Sequence, residues 1–281
     1  MLFLVRRKYV LSEKNILERL AAGWGQGRGV DYRPFIRITD ISSDGRVHLI
    51  NSLLLKRELH FLSDLEWYNY LIRSQNRNAL DFREQVALSR EVTRAIASVL
   101  GYAHPRDRNS DANAIVMTTD LVVTYMGLQG PYDVAYFVKY AEDLKNPRVQ
   151  EKLAIERRYW AEQGVELVEF TEEDIPKRIR NSLLWMSTHE SLEFHPAPHA
   201  NYHKELGMNI VNNLSRASGD LAFTKFMQEL DRRFGVEIGQ HLTVARHLMC
   251  KGFLSANLDV DRLAFSPVSN FVVNAYDFEI A

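Results

Sequence analysis

Between Ala114 and Lys139 the chain reads as two apolar strands joined by a turn: "AIVMTTDLVVTYM", then "GLQGP", then "YDVAYFVK". Such runs pair as neighbouring strands of one sheet. Asp120 lies in the middle of the first. A carboxylate there costs free energy unless it is paired, ligating or at a strand end. Lys139 closes the second run and shares a face with Ala135 and Phe137, because side chains alternate along a strand. The turn therefore brings an aspartate and a lysine to one end of the sheet. The plain alternative for Lys139 is an edge-strand lysine with its head in solvent.

The flanking sequence supplies the rest of an α/β domain. Ser12 can cap a helix whose apolar face is Ile16, Leu17, Leu20 and Ala21, ending near Gly23. "PFIRITDI" alternates as a strand, and "RVHLINSLLLKRELHFL" reads as two strands around a turn near Asn51 and Ser52. Ser63 opens a helix carrying Glu66. "LDFREQVAL" is a further strand, and Ser89 caps a helix closed by Gly101. A polar loop, "HPRDRNSDAN", precedes the central pair. Asn146 and Pro147 start a helix that Gly164 stops, and "VELVEF" ends the series. Strands alternating with helices predict an α/β domain with a mixed sheet over residues 1–170.

From Thr171 the pattern changes. A helix through Leu183 and Trp185 leads into a linker, "HESLEFHPAPHANYH". Helices over Leu221–Phe234 and Gln240–Lys251 follow, joined by a tight turn with Gly235 and Gly239. "FLSANL" and "SNFVVNAYDF" are short β segments. Helix, turn, helix and strand pair predict a mainly helical, winged-helix-like domain over residues 171–281, for partner or DNA binding. Arg246, His247 and Lys251 give its second helix a thin charge footprint.

Several classes are disfavoured. Net charge is -1, so any DNA site must come from local clusters of Lys and Arg. The single cysteine, Cys250, rules out an internal disulfide and fits a reducing cytosol. No apolar run is long enough to span a membrane, and "MLFLVRRKYV" reverses the order of a secretory signal. "GWGQGRGVDYRPF" alternates glycines but lacks the Gly-Lys-Ser/Thr ending of a phosphate loop. It reads as a flexible loop, with Arg28 and Arg33 available to a phosphate backbone as the alternative. His195, His199 and His203 have helical zinc spacing, but Pro196 and Pro198 interrupt any such helix.

Glu66 and Glu156 each have two readings. Ser63 to Glu66 fits a capping box, with Glu66 bonded back to the Ser63 amide. Glu156 follows Lys152 by one helical turn, as a surface ion pair would. Against these stands the set Glu66, Asp120 and Lys139. Magnesium takes hard oxygen ligands, and two or three protein oxygens suffice beside water and phosphate. Lys139 would orient a water or offset charge on phosphorus.

The stretches "GWGQGRGVDYRPFIRI", "SSDGRVH", "FLSDLEWYNYL", "LDFREQ", "MTTDLVV" and "EKLAIERRYW" occur in the order found in one family. Over residues 12 to 175 the chain resembles TnsA, the endonuclease subunit of heteromeric cut-and-paste transposases. The resemblance implies a restriction-endonuclease-like catalytic domain and a winged-helix C-terminal domain. It places catalytic roles on Glu66, Asp120 and Lys139, and a further one on Glu156. It implies Mg2+, with Mn2+ as substitute, at Glu66 and Asp120, and the Val138 carbonyl is available as a further ligand. The implied activity is hydrolysis at the 5′ ends of the transposon, on the non-transferred strands. The implied partners are transposon-end DNA, a TnsB-like transposase and a TnsC-like ATPase, on DNA in the bacterial cytosol. One position departs: where the family tends to carry Gln or Glu, two residues before the lysine, this chain has Phe137. That residue favours one alternative, a non-catalytic adaptor bridging the partner transposase and the ATPase; a stand-alone restriction-like or repair nuclease, which would cleave as the isolated protein, is a third reading.

Overall fold

The computed structural model describes residues 11–40, 46–52, 55–106, 114–189, 191–193 and 195–274. The N-terminal decapeptide, the last residue of "PFIRITDI" with the "SSDG" that follows it, residues 53 and 54 of the hairpin segment, most of the polar loop before the central strands, and the end of "SNFVVNAYDF" lie outside these residues. The chain divides into two compact units, one up to Asp174 and one from Ile175.

The first unit runs α1 (Glu13–Ala21), β1 (His48–Ser52), β2 (Arg57–Phe61), α2 (Asp64–Ser74), β3 (Ala79–Ala87), α3 (Arg90–Leu100), β4 (Thr118–Gly127), β5 (Gly130–Val138), α4 (Ala141–Leu144), α5 (Pro147–Ala161) and β6 (Glu166–Phe170). β1 and β2 form a separate antiparallel hairpin whose bend falls after Ser52. The main sheet has the order β3-β4-β5-β6, with β3, β4 and β5 antiparallel and β6 parallel to β5. A mixed sheet between helices, with α2 ahead of three meandering strands and α5 crossing to the fourth, is compatible with the restriction-endonuclease-like fold. One side of the core joins Val86, Val122, Ala135, Ile155 and Trp160. On α2, Tyr70 meets Phe61 and, edge-on, Phe82.

The helix boundaries follow local chemistry. Ser12, Ser63, Ser89 and Asn146 each accept from an amide of the first turn, satisfying donors no helix can pair internally. Gly101 takes φ +72°, which ends α3 without a Cβ clash.

"PFIRITDI" is not a strand over its described residues. The Phe35 amide donates to the Gln85 carbonyl, and Asp40 accepts the Arg37 amide and both Arg19 terminal nitrogens at 2.6 and 2.9 Å. A turn locked by Asp40 uses up the groups a strand would need. The glycine-rich loop lies along the open edge of β3. The Ala87 amide donates to the Gly25 carbonyl at 3.0 Å, so the loop covers an edge that would otherwise pair with other chains. At Gly25, φ is +72° and an added Cβ would lie 2.5 Å from the Ala87 Cβ and 2.7 Å from its backbone nitrogen. Gly25→Ala is expected to cost about 2–4 kcal/mol, from the left-handed backbone plus overpacking. Gly27→Ala, with φ +82° but open space around its Cβ direction, is expected to cost about 1 kcal/mol. Urea unfolding of both variants checks this; equal losses would remove the packing argument.

The second unit runs α6 (Lys177–Ser187), α7 (Tyr202–Leu214), α8 (Phe223–Phe234), α9 (Gln240–Cys250), β7 (Leu254–Ala256) and β8 (Phe271–Val273). It is mainly helical, with β7 and β8 antiparallel. α7 falls partly in the segment read as a linker. Its buried stripe of Leu206, Ile210, Val211 and Leu214 has helical spacing. Buried Asp231 ties the α8–α9 turn by accepting from the Gly239 amide at 2.7 Å and the His241 amide at 3.0 Å and its ring Nδ1 at 2.7 Å. The proposed charge footprint of α9 is largely spent on packing. Arg246 donates to the Trp185 carbonyl and the Thr188 hydroxyl, and His247 is buried, its Nδ1 against the His189 carbonyl.

Candidate active site

Glu66 satisfies both of its readings. The Ser63 hydroxyl accepts from the Glu66 amide and donates to Glu66 Oε1, each at 3.1 Å. The other carboxylate oxygen, Oε2, takes the Leu62 amide at 3.0 Å, rather than the Ser63 amide of a standard capping box. This fixes the carboxylate, buried and directed toward Asp120 at the start of β4. Asp120 Oδ2 accepts the Val138 amide at 2.8 Å, across from the end of β5. The N–H and C=O of one strand residue face the same neighbour, so the Val138 carbonyl is directed to the Asp120 side as well.

Lys139 follows at the end of β5, its own amide donating to the Phe170 carbonyl of β6. Its ammonium favours the charged forms of Glu66, Asp120 and Glu156 together, so all four groups share one electrostatic neighbourhood. Glu156 on α5 is buried and accepts the Thr119 hydroxyl at 2.7 Å; Trp160 Nε1 donates to the same hydroxyl oxygen at 2.8 Å. The surface pair with Lys152 is therefore replaced by a buried bond to β4.

Burial dominates the titration of these acids. It pushes the Glu66 carboxyl up to about 8, with the Asp120 charge the second cause. Asp120 is raised by burial, against the pull of Lys139 and the Val138 amide. Glu156 is pushed well above the carboxylate range by burial and then by Asp120. Buried acids held above the usual carboxylate range, beside a second carboxylate, are poised to exchange protons for a cation.

Sequence reasoning missed Gln85. It stands in the polar run Arg83-Glu84-Gln85, all buried, inside β3. Its Nε2 lies 3.4 Å from Glu66 Oε2 and 3.5 Å from Asp120 Oδ1, and its Oε1 accepts the Thr118 hydroxyl at 2.8 Å. Gln85 has φ +51°, one of two non-glycine residues with positive φ among those described. That conformation reverses the alternation of β3. Phe82 meets α2 and Glu84 meets Arg57 of β2, while Val86 packs with Ile155 and Trp160 of α5. A single re-aimed residue thus turns its side chain toward the two carboxylates. A polar triplet within an apolar strand was the available signal.

The other candidates lie apart. Arg28 is held by Asp133, at 2.7 Å, and by the Thr124 hydroxyl, also at 2.7 Å. Arg33 is exposed. Phe137 is buried, with no oxygen to offer. His199 Nε2 faces Glu205 at 3.8 Å, and His195 stacks on His189. Among the described residues no three His, Cys, Asp or Glu side chains converge as a metal site. The groups that meet are two carboxylates, the end of β5 at Val138 and the Gln85 amide; carboxylate and carbonyl oxygens are donors of the kind magnesium accepts.

Residues 76–172 match the family model described as TnsA-like endonuclease N terminal, and residues 174–258 the one described as TnsA endonuclease C terminal. The chain is 32% identical over 248 residues to the Transposon Tn7 transposition protein TnsA of Escherichia coli, covering 88% of this chain and 87% of that protein.

Proposed function

The chain belongs to the TnsA endonuclease family, and on that premise we propose that it is the subunit that hydrolyses the non-transferred strands at the 5′ ends of a transposon, using Mg2+ held by Glu66, Asp120 and the Val138 carbonyl. The observation that carries this reading is the convergence of Glu66, Asp120 and Lys139 at the adjoining ends of α2, β4 and β5. A bound divalent ion supplies an acidified water and positive charge beside the leaving oxygen. The chain's own groups do the rest. Glu66 and Asp120 arrive fixed by the Leu62, Ser63 and Val138 donors, so little reorganisation is left for the reaction. Lys139 sets an ammonium against the charge that develops on phosphorus. Glu156, through the Thr119 hydroxyl, holds the start of β4 beside Asp120.

The partners in this reading are a TnsB-like transposase, which cuts the 3′ ends, and a TnsC-like ATPase. Because Arg246 and His247 are occupied within the second unit, we assign that unit to protein contact rather than to DNA. The buried Phe137 favours one rival: an adaptor that keeps the fold and does not cut. Strand-resolved cleavage of end-bearing DNA in the reconstituted complex decides between them. EDTA is expected to abolish 5′-strand cuts, and Mn2+ or Mg2+ to restore them. Cuts at those strands that persist in chelator would sink the metal-dependent reading. An assembled complex in which those strands stay intact with Mg2+ would sink the nuclease in favour of the adaptor.

A further inference from the structure

We infer that Gln85 is a metal ligand: its side-chain oxygen completes the cation site that Glu66 and Asp120 begin. The inference rests on the metal-dependent reading above and adds a residue to it. Its basis is geometric. Oxygens that are neighbours around octahedral Mg2+ at 2.0–2.1 Å lie about 2.9–3.0 Å apart. The Gln85 amide end that faces the carboxylates is 3.4 Å from Glu66 Oε2 and 3.5 Å from Asp120 Oδ1, on both at once. A contraction of about half an ångström brings the Gln85 atom to the spacing of a neighbouring ligand from each of the two carboxylates.

In the metal-free protein the end facing the acids is the NH2 group, as the charges require. With a cation between the carboxylates, half a turn about the last side-chain torsion presents Oε1 instead. Thr118 permits both states. Its hydroxyl donates to Oε1 at 2.8 Å, and a hydroxyl accepts from an amide NH2 equally well. The amide is thus a stand-in for the cation before loading and a ligand after it.

The backbone gives a second, independent reason. The left-handed conformation of Gln85, φ +51°, costs about 1–3 kcal/mol in a residue with a Cβ. Glycine would adopt it freely, so the side chain is retained at a cost and must be used. Fixing that conformation from the edge of β3, the Phe35 amide donates to the Gln85 carbonyl at 3.1 Å. A ligand from β3 also explains how the site tolerates Phe137 on β5.

The test is Mn2+ binding to the full-length protein, followed by electron paramagnetic resonance, with inner-sphere waters counted in 17O-enriched water. Gln85→Leu is expected to weaken Mn2+ binding roughly tenfold or more, and its bound ion to gain one water. Gln85→Glu, which keeps an oxygen at the position, is expected to bind at least as tightly as the parent with an unchanged water count. A Gln85→Leu protein with parental affinity and water count would overturn the assignment. Should Gln85→Leu fail to fold, the Gln85→Glu protein decides alone, and an added water there would overturn it. Asp120→Asn serves as the reference: if it binds Mn2+ like the parent, the metal site itself is misplaced, which is a separate failure.

Discussion

Asp120→Asn is expected to lower 5′-strand cleavage by a factor of about 10³ to 10⁵, roughly 4–7 kcal/mol of transition-state stabilisation, while leaving a folded and more stable protein. The shape is kept. The asparagine oxygen can still accept the Val138 amide that Asp120 Oδ2 accepts at 2.8 Å. The charge is lost, and with it the attraction for a divalent ion. Stability moves the other way for a stated reason. Burial and then Asp120 raise the Glu66 carboxyl to about 8. A carboxyl raised in the folded state holds its proton there more tightly than in the unfolded chain. Its contribution to stability is present at pH below about 4.5 and is lost as pH rises through 8. Removing Asp120 removes the second cause of that rise, and Asp120's own burial cost as well. In EDTA, the advantage of Asp120→Asn over the parent should grow between pH 5 and pH 8, reaching about 1–2 kcal/mol. Denaturant unfolding at several pH values measures it. A variant that is inactive and less stable throughout would mean that Asp120 holds the strands together and that its loss of cleavage says nothing about chemistry.

The part of the site written in local sequence was legible. Ser63 and Glu66 announce a capping box because the pattern needs only neighbours on the chain, and the structure uses it almost as read. Asp120 stood out because an acid in an apolar strand demands a partner. Gln85 was hidden, since its left-handed backbone follows from the Gly25 and Phe35 segments laid along β3, more than forty residues away in sequence. "PFIRITDI" misled for the related reason that Asp40 diverts the chain into a turn through Arg19, a contact no alternation pattern contains. Lys152 and Glu156 have the spacing of a surface pair, yet Glu156 turns inward to Thr119. Helical spacing says which residues share a side of the helix and leaves open what the sheet offers that side. α7 was obscured by the prolines and histidines just before it, although its apolar stripe is regular.

The second large effect concerns the support behind Gln85. Arg57→Met is expected to destabilise the first unit by about 3–5 kcal/mol, and adding Glu84→Leu to recover most of that loss. Arg57 on β2 and Glu84 on β3 form a bidentate pair, both bonds 2.9 Å, with side chains 6% and 0% exposed. The guanidinium also donates to the Phe82 and Glu58 carbonyls and lies 4.9 Å from the Tyr32 ring centre. Glu84 accepts the His60 amide at 3.1 Å, and burial already pushes its carboxyl up. Without Arg57 that carboxylate is left buried with backbone donors and no countercharge from Arg57, and it must take a proton or open the hairpin to water. Leucine at position 84 removes the stranded charge, so the double variant loses only the pair's net contribution, which for a buried pair is small. A double-mutant cycle by denaturant unfolding reads the difference. If single and double variants were equally unstable, the pair would matter for packing alone. Glu84 immediately precedes Gln85 in the chain, so the single variant should also weaken Mn2+ binding at temperatures where it remains folded, and the double variant should bind as the parent does.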